Sequence, residues 1–466
     1  MNGNRGGGMA EILTDSLPLV MLGALASLIF TGFPVAFVLA GVGVAAMLLA
    51  FTLGIFPESA FYNLPARIYG NFSRSWIYPA VAMFLFMGVA LERSGVAREM
   101  LNCLHLILRR LPGSVALAVI FIGILLAPTA GLVGASVGML TVIALPTMIR
   151  LGYSSSVAAG AVAAGGTVGL ILPPGLMLIF LATHIGVTVG EMFLSTAYPG
   201  LLLIGVYFLY FFARGAISLN TGVSTMVAEQ FSAIPFMLYV LRSLVLPVTL
   251  VAAVLGSIVA GWATTSQSAA VGAVGSVFLM ILNGSFTIRR FNEVLRVTVE
   301  ITVMVILIIL AAQVFSYPFR FFSGDELVSD FVRGLGQGDW GVLLTVLFII
   351  FVLGFFIDWI EITVITLPIF LPLLNGLDFE AYTGSAGNSA IWIGVLIALV
   401  LQTSFLTPPF GFALFHIRAA APSSVGLGDI YRGVAPVLGL QLIVIFLVIM
   451  FPALSTQLPH AVFGID

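Results

Sequence analysis

Apolar residues run in long stretches along this chain, separated by short polar segments, and few stretches show the strict alternation of a half-buried strand. A bilayer crossing needs roughly 20 apolar residues, so the stretches allow on the order of a dozen crossings. The first long run, from Leu17 to Leu53, is broken at residues 31–34 (TGFP), which predicts two crossings joined by a tight turn. The pattern predicts an all-α polytopic membrane protein.

Composition supports this class and excludes several chemistries. Of the 466 residues, 61% are hydrophobic and 8% are charged, against about a quarter charged in soluble domains. All 17 basic residues are arginine, so the Lys of a Walker A loop and a Lys Schiff base are both excluded. Cys103 is the single cysteine and the four histidines are scattered, which leaves no thiolate zinc or iron–sulfur site. We therefore expect no cofactor, no transition metal and no enzymatic activity.

The distribution of arginine predicts the orientation in the membrane. Seven arginines fall into two clusters that the pattern places in loops: Arg93, Arg98, Arg109 and Arg110, and then Arg289, Arg290 and Arg296. Basic loops face the cytoplasm, and counting back three crossings places the N-terminus outside. The acidic segment 323–339 then lies in an external loop, as either a solvated face or a docking surface for an external partner.

Two sequence blocks occur twice in the same order. Residues 141–146 and 363–368 read TVIALP and TVITLP, and residues 169–180 and 404–415 read GLILPPGLMLIF and SFLTPPFGFALF. Two matches in the same order make chance unlikely, so the chain contains an internal repeat. The repeat predicts the following division: a polar leader at 1–16, scaffold helices at 17–76, repeat 1 at 77–200 with a hairpin at about 156–183, scaffold and connecting helices at 201–297, repeat 2 at 298–425 with a hairpin at about 388–420, and a C-terminal helix and tail at 426–466.

Each repeat carries a proline pair inside an apolar stretch, Pro173-Pro174 and Pro408-Pro409. Proline removes a helical N–H and clashes with the preceding turn. Broken backbone at membrane depth is tolerated only inside protein or beside a watery cavity. We therefore predict that both pairs lie at the tips of re-entrant hairpins, because paired breaks in two inverted repeats are typical of a secondary transporter site. The alternative is two kinked helices that only pack.

Two carboxylates interrupt another apolar run. Asp358 and Glu361 are three residues apart, which on a helix places both on one face. Intramembrane carboxylates usually mark an ion path; the alternative is an interfacial pair at a helix end. The offset of the first repeated block maps Asp358 onto Ser136, near Gly131 and Gly134. Hydroxyl, carbonyl and carboxylate oxygens of this kind suit a sodium ion.

Four further residues are candidates for ligand contact. His184 and His416 follow the proline pairs and are either proton relays or polar residues that line a cavity. Arg418 is placed to attract an anionic substrate, or it extends from a helix end toward water. Trp359, next to Asp358, completes the substrate candidates.

Four motifs resemble the large membrane subunit of tripartite ATP-independent periplasmic (TRAP) transporters. They are AGGTVGLILPP at 164–174, the run from Gly354 through Asp358 to Pro368, LTPPFG at 406–411, and GWATTSQSAAVG at 261–272. The second and third are similar to the branch of the family labelled for mannitol or chloroaromatic compounds, whose members are also associated with 2-oxo acids and lactate. The resemblance extends from about residue 12 to near the C-terminus.

The resemblance implies an elevator mechanism driven by sodium, as in ion transporter superfamily-like folds, with two hairpins in a mobile domain. It implies a small four-helix membrane subunit and a soluble periplasmic binding protein as partners. It also implies sodium ligands at the hairpin tips and at the family's aspartate. With the offset argument, the predicted sodium ligands are Gly131, Gly134, Ser136, Gly165, Gly166, Thr167, Asp358, Thr403, Ser404 and Thr407.

Two positions depart from the family pattern. The family's T-P-T-E segment reads Thr264-Thr265-Ser266-Gln267 here, and Ala82 stands where a proline often precedes M/L-F. No role of the missing glutamate is carried over.

Together these features predict a sodium-coupled permease subunit that imports a small organic anion, a 2-oxo acid, lactate or a related carboxylate, across the bacterial cytoplasmic membrane. The alternative is a stand-alone sodium- or proton-coupled carrier that needs no binding protein.

Overall fold

The computed structural model describes residues 5–125, 133–217, 233–335, 338–408 and 411–464, and every regular element in them is helical. The first eight helices are α1 (Arg5–Ile29), α2 (Val35–Thr52), α3 (Glu58–Arg74), α4 (Ile77–Arg93), α5 (Val96–Leu108), α6 (Ser114–Leu125), α7 (Val133–Ile143) and α8 (Leu145–Arg150). The next eight are α9 (Ser155–Val168), α10 (Leu176–Ile185), α11 (Val189–Ile217), α12 (Ala233–Val240), α13 (Leu246–Val259), α14 (Thr265–Leu282), α15 (Ile288–Phe321) and α16 (Gly324–Gly334). The last eight are α17 (Gly338–Leu353), α18 (Trp359–Glu361), α19 (Leu367–Asn375), α20 (Glu380–Thr383), α21 (Ala386–Ser404), α22 (Phe412–Ala420), α23 (Leu427–Met450) and α24 (Ala453–Phe463).

Within these ranges, eight helices are long and apolar enough to cross a membrane, or up to ten if each of two bent pairs counts as one span. The chain is a multi-pass membrane protein. Helix α1 begins at Arg5, inside the segment predicted as a polar leader.

The chain folds into two units. The first comprises Met1–Tyr78, Ile301–Val346 and Ile360–Leu377, and the second comprises Pro79–Glu300, Leu347–Trp359 and Asp378–Asp466.

Aromatic packing forms the core of the first unit. The buried ring of Phe56 lies edge-on to Phe61 and Tyr317, with centroid distances of 5.3 and 6.1 Å. This contact joins the segment between α2 and α3 to the C-terminal part of α15. The Arg320 guanidinium donates to the carbonyl of Pro368 at 3.1 Å, which holds the end of α15 against the start of α19.

In the second unit, α9 and α10 together form one broken crossing. Helix α11 has 29 residues and is therefore about 43 Å long. Its C-terminal part lies against the start of α6, because a Cβ on Gly113 would come within 2.5 Å of the Phe211 carbonyl oxygen. Helix α9 starts at this C-terminal end of α11. It begins just after Tyr153, whose side chain reaches the backbone of Val115 at the start of α6. Helix α10 ends just before α11 begins and therefore lies at the N-terminal end of α11. The two halves α9 and α10 thus run from one end of α11 to the other.

Helices α6, α7 and α8 form a re-entrant hairpin that precedes this crossing. Tyr153 follows α8 and reaches Ser114 and the backbone of Val115 and Ala116 at the start of α6. The chain therefore enters and leaves at one end. Length and hydropathy alone would let Val133–Arg150 cross, so the contact of Tyr153 decides this assignment.

Helices α21 and α22 form the corresponding broken crossing of repeat 2. The Trp392 indole donates to the carbonyl of Val448 at 2.9 Å, and the Tyr382 hydroxyl donates to that of Ile449 at 2.7 Å. Helix α21 therefore starts beside the C-terminal end of α23. Helix α22 ends at Ala420, shortly before α23 begins at Leu427. The two halves thus run from one end of α23 to the other.

A second hairpin, hairpin 2, precedes the second crossing and is formed by α17 to α19. Helix α17 begins shortly after α16, and a Cβ on Gly376, just beyond α19, would lie 3.0 Å from a terminal nitrogen of Arg333 on α16. The segment from α17 to α19 therefore returns toward its starting end. Its tip, residues 354–358, includes Asp358.

The two repeats have inverted topology. Gly433, near the start of α23, packs on Ser156 and Gly160, because a Cβ on Gly433 would collide with the Ser156 carbonyl and lie 2.9 Å from the Gly160 nitrogen. The starts of α9 and α23 are therefore at one end, so the α9–α10 and α21–α22 crossings run in opposite directions. This confirms two inverted repeats with one hairpin each.

The matched sequence blocks correspond to matched helix breaks. Residues 141–146 span the interruption at Ala144 between α7 and α8, and residues 363–368 span a π-helical turn at Ile362–Thr366 before α19. In both copies the irregular turn comes directly before a Leu-Pro pair. The second block likewise contains the break after α9 and the break after α21.

The position of the hairpins differs from the expectation. The segments expected at about 156–183 and 388–420 contain the proline breaks but continue across as α9–α10 and α21–α22. The re-entrant segments come one step earlier, at 114–150 and 338–375. A proline pair interrupts helical hydrogen bonding, but packing against α11 and α23 decides whether the chain turns back or continues.

Three segments expected as loops are helical. Arg98 lies on α5, where Val96, Met100 and Leu104 are buried at helical spacing. The second arginine cluster lies on the first turns of α15, and much of the acidic segment forms the amphipathic helix α16.

Candidate functional site

The first candidate site is where hairpin 1, formed by α6 to α8, meets the end of α9. The contact is made by the first turn of α7, which we call the tip of hairpin 1. The buried Ser136 hydroxyl on α7 shares its proton between the carbonyls of Val133, at 3.2 Å, and Gly166, at 3.0 Å. The Thr167 hydroxyl donates to the carbonyl of Ala163 at 2.8 Å. A hydroxyl that donates its proton still presents oxygen lone pairs, so this junction concentrates oxygen ligands suited to a hard cation.

Glycines make this junction possible. A Cβ on Gly166 would lie 2.6 Å from Val137 Cγ2 and 2.9 Å from its Cα. A Cβ on Gly165 would lie 2.7 Å from the carbonyl oxygen of Val119, and one on Gly123 would collide with the backbone of Gly165. Helices α6, α7 and α9 can therefore approach at this level only through bare backbone, which brings their carbonyl groups close to the break.

The second candidate site is the equivalent junction in repeat 2. A Cβ on Gly354, at the tip of hairpin 2, would collide with the side chain of Ser404 at the end of α21. The hydroxyls of Thr403, Ser404 and Thr407 donate to the carbonyls of residues 399, 401 and 403 at 2.7–2.9 Å. Their protons are used within the helix end, so their oxygens are available to a cation.

Asp358 places a carboxylate on the same hairpin tip as Gly354. It lies at the tip of hairpin 2, is 7% exposed, and accepts a hydrogen bond from the backbone N–H of Trp359 at 2.8 Å. Glu361, at the end of α18, is 9% exposed. Among the described side chains these two are the buried charged residues, so neither carboxylate lies at an exposed helix end. A buried carboxylate is costly unless it is partnered or binds a cation.

The second half of each crossing contacts the hairpin of the other repeat. On α22 the His416 ring packs on Gly134, where a Cβ would lie 2.6 Å from the imidazole Cδ2. Its Nδ1 donates to the Phe412 carbonyl at 2.9 Å. On α10, Phe180 packs edge-on against the buried indole of Trp359, with a centroid distance of 5.6 Å. The first half of each crossing thus contacts the hairpin of its own repeat, and the second half contacts the hairpin of the other repeat.

The structure separates the remaining predicted site residues. Pro173 and Pro174, joined by a cis peptide bond, lie in the break between α9 and α10. Pro408 lies in the break after α21, while Gly131 and Pro409 lie outside the described residues. Arg418 is exposed on the last turn of α22 and donates to the Val425 carbonyl at 2.7 Å. This hydrogen bond joins Arg418 to the loop before α23, and its role toward the substrate stays a prediction.

In the described ranges, no group of three or more His, Cys, Asp or Glu residues is placed to hold a metal ion. A weakly bound alkali cation, held by carbonyls, hydroxyls and one carboxylate, remains compatible with both junctions.

Sequence reasoning missed Gln402, in the last turn of α21. Its side chain is fully buried, and within the part of the chain that the structure describes neither Oε1 nor Nε2 has a hydrogen-bond partner. A glutamine in an apolar helix gives little sequence signal, because only the fold shows that its amide is left open.

A family model for the DctM component of tripartite ATP-independent periplasmic transporters matches residues 22–454. The chain belongs to this family. A DctM component is one part of a three-part transporter, and its named relatives are permeases, so the chain is a transporter subunit rather than an enzyme.

Individual relatives agree with this placement. The chain is 27% identical over 416 residues to the C4-dicarboxylate TRAP transporter large permease protein DctM of Pseudomonas aeruginosa, covering 88% of this chain and 92% of the relative. It is 25% identical to the sialic acid TRAP transporter large permease protein SiaM of Vibrio cholerae, covering 94% and 97%. The crystal structure of the Alcanivorax borkumensis YdaH transporter has a similar fold, with a TM-score of 0.54 at 15% identity, covering 88% and 90%.

The structure explains one departure from the DctM pattern. The Thr264 hydroxyl accepts from the backbone N–H of Gln267 at 3.3 Å, and the Gln267 side chain accepts from the Thr264 N–H at 2.9 Å. These two bonds form a capping box at the start of α14, a role that glutamine fills as well as glutamate.

Proposed function

We propose that this chain is the sodium-coupled permease subunit of a TRAP transporter, importing a small organic anion that a periplasmic binding protein delivers. The anion is a 2-oxo acid, lactate or a related carboxylate. A small four-helix membrane subunit completes the membrane part in the bacterial cytoplasmic membrane, with the N-terminus of this chain on the periplasmic side.

The pair of equivalent oxygen-lined junctions supports sodium coupling. The Ser136 contact with Gly166 joins one hairpin tip to a broken crossing, and the packing of Gly354 on Ser404 joins the other. Unwound backbone at membrane depth needs polar partners, and a sodium ion at each junction would supply them. Asp358 supplies the charge that favours a cation over a water molecule in such a site.

The two-unit organisation supports an elevator mechanism. Both junctions, including the tip of hairpin 2, belong to the second unit. The arms of hairpin 2 extend into the first unit. In our proposal the two hairpins and the two broken crossings together carry substrate and sodium across the membrane while the rest of the assembly stays fixed. Because sodium would bridge hairpin tip and break, its binding would hold the carrier in a form that can move only when loaded.

Replacing Ser136 with alanine tests the first junction. We expect the Ser136→Ala variant to need about tenfold more sodium for half-maximal uptake, because it loses one oxygen ligand worth about 1.4 kcal/mol. The measurement is initial uptake rate against sodium concentration in proteoliposomes, with the binding protein saturating. Thr141→Val is the matched control, since among the described residues the buried Thr141 hydroxyl on α7 bonds to the Val137 carbonyl alone, at 2.7 Å. An unchanged sodium requirement in Ser136→Ala would remove this residue from the site.

A further inference from the structure

The polar side chains around the second break divide into two groups. Thr403, Ser404 and Thr407 use their hydroxyl protons on carbonyls of the helix end. They can still offer lone pairs, but no donor. Gln402 lies in the same helical turn, and both ends of its carboxamide are open within the described residues. Among these four polar side chains, Gln402 is the one that can donate a hydrogen bond to an anion.

A sodium ion alone does not satisfy Gln402. The ion would bind Oε1 and leave both Nε2 hydrogens without an acceptor, and a buried donor without a partner destabilises the structure around it. In the alignment of the two proline blocks Gln402 takes the place of Thr167, whose hydroxyl has its own acceptor at Ala163. The open carboxamide is therefore a feature of the second break alone.

The two open ends of the amide specify a ligand with an acceptor and a donor side by side. A carboxylate oxygen accepts from Nε2, and a hydroxyl on the neighbouring carbon donates to Oε1. A 2-oxo acid offers the carboxylate but carries no donor at that carbon. Its keto oxygen would face Oε1, acceptor against acceptor.

We infer that Gln402 binds the substrate and selects a 2-hydroxy carboxylate over the corresponding 2-oxo carboxylate. This inference rests on the proposed function and narrows its substrate class. Nε2 holds the carboxylate, Oε1 takes the hydroxyl proton, and the neighbouring hydroxyl oxygens remain for sodium. Discrimination follows because binding the oxo acid leaves a buried acceptor unpaired.

The test is direct binding to this chain with its small subunit in nanodiscs, so that selection by the binding protein plays no part. The probes are L-lactate and pyruvate, which differ at the second carbon, and binding is measured as ligand-induced thermal stabilisation in saturating sodium. We expect L-lactate to bind at least about tenfold more tightly than pyruvate. In Gln402→Met, an apolar side chain of similar length, we expect that ratio to fall to about one.

Two further variants make the result specific. Gln402→Glu keeps the acceptor, loses the donor and adds a negative charge, so we expect it to lose binding of both acids. Gln441→Met is the matched control, because Gln441 is a buried glutamine on α23 beside Tyr207, and it should keep the wild-type ratio. Stabilisation by sodium alone should be the same in the wild type and in Gln402→Met.

The outcomes separate this inference from the proposed function. The role of Gln402 would be overturned if the wild type bound both acids equally or bound neither, or if the ratio were unchanged in Gln402→Met. In each of these cases, stabilisation by sodium would leave the proposed coupling intact. Absence of any stabilisation by sodium over potassium would overturn the coupling itself, and with it the inference that rests on it.

Discussion

Replacing Asp358 with asparagine should abolish sodium-driven uptake at physiological sodium. Asparagine preserves shape and still has an oxygen to accept the bond from the Trp359 N–H, so the hairpin tip should keep its structure. What it loses is the charge, in a side chain that is 7% exposed. Charge-assisted contacts of buried groups are worth about 3 kcal/mol, so we expect the sodium concentration for half-maximal uptake to rise at least about 100-fold.

The control for Asp358→Asn is Glu300→Gln, the same loss of a carboxylate charge at an exposed residue of α15, whose surface ion pair with Arg296 contributes little to stability. Uptake rates against sodium concentration should be indistinguishable from wild type in this control. If Asp358→Asn keeps its sodium dependence while the protein remains folded, the carboxylate takes no part in coupling, and the second junction is held together by its carbonyls and hydroxyls alone.

Adding a methyl group at Gly134 should have the second largest effect. The new Cβ would lie 2.6–2.7 Å from the Cδ2 and Cε1 atoms of the His416 ring and would collide with Nε2. Overpacking of this kind costs about 1–3 kcal/mol, and here it would push α22 away from the tip of hairpin 1. We expect Gly134→Ala to reduce the uptake rate roughly 30-fold, within the range such a cost allows.

The obstacle at Gly134 is a side chain, so it can be removed. The double variant Gly134→Ala with His416→Ala should take up substrate faster than Gly134→Ala alone, whereas independent effects would make the double variant slower. Gly138→Ala is the matched control on the same helix, because a Cβ there has nothing within 4 Å. A double variant that is no better than the single one would show that the His416–Gly134 contact does not position the tip.

Much of the fold follows from the sequence. Long apolar runs with few charged residues predict a polytopic helical membrane protein. The repeated blocks at 141 and 363 and at 169 and 404 fall at matched helix breaks. The Ser136 hydroxyl oxygen and the Gly166 carbonyl oxygen, 30 positions apart in the chain, lie 3.0 Å from each other. The sequence grouped these two residues as sodium ligands, Ser136 through its offset from Asp358, and that role stays a prediction.

The hairpins could not be placed from the sequence, for a physical reason. Proline pairs show where helical hydrogen bonding stops, but they carry no information on whether the chain reverses. The direction of the chain after each break is set by contacts between residues far apart in the sequence. Examples are Tyr153 with the start of α6 and Trp392 with Val448. The amphipathic helix α5 could have been recognised, because its buried positions follow helical spacing, whereas the open amide of Gln402 depends on neighbours from several helices.

Sodium-coupled import that depends on a binding protein is tested most directly by uptake into proteoliposomes that contain this chain with its small subunit. Labelled L-lactate, 2-oxo acids and an aromatic acid would be offered with and without the binding protein, under an inward sodium gradient or an equal potassium gradient. We expect uptake only with sodium and binding protein together. Uptake without the binding protein, or equal uptake in potassium, would contradict the proposal and would favour a stand-alone carrier or a different coupling ion.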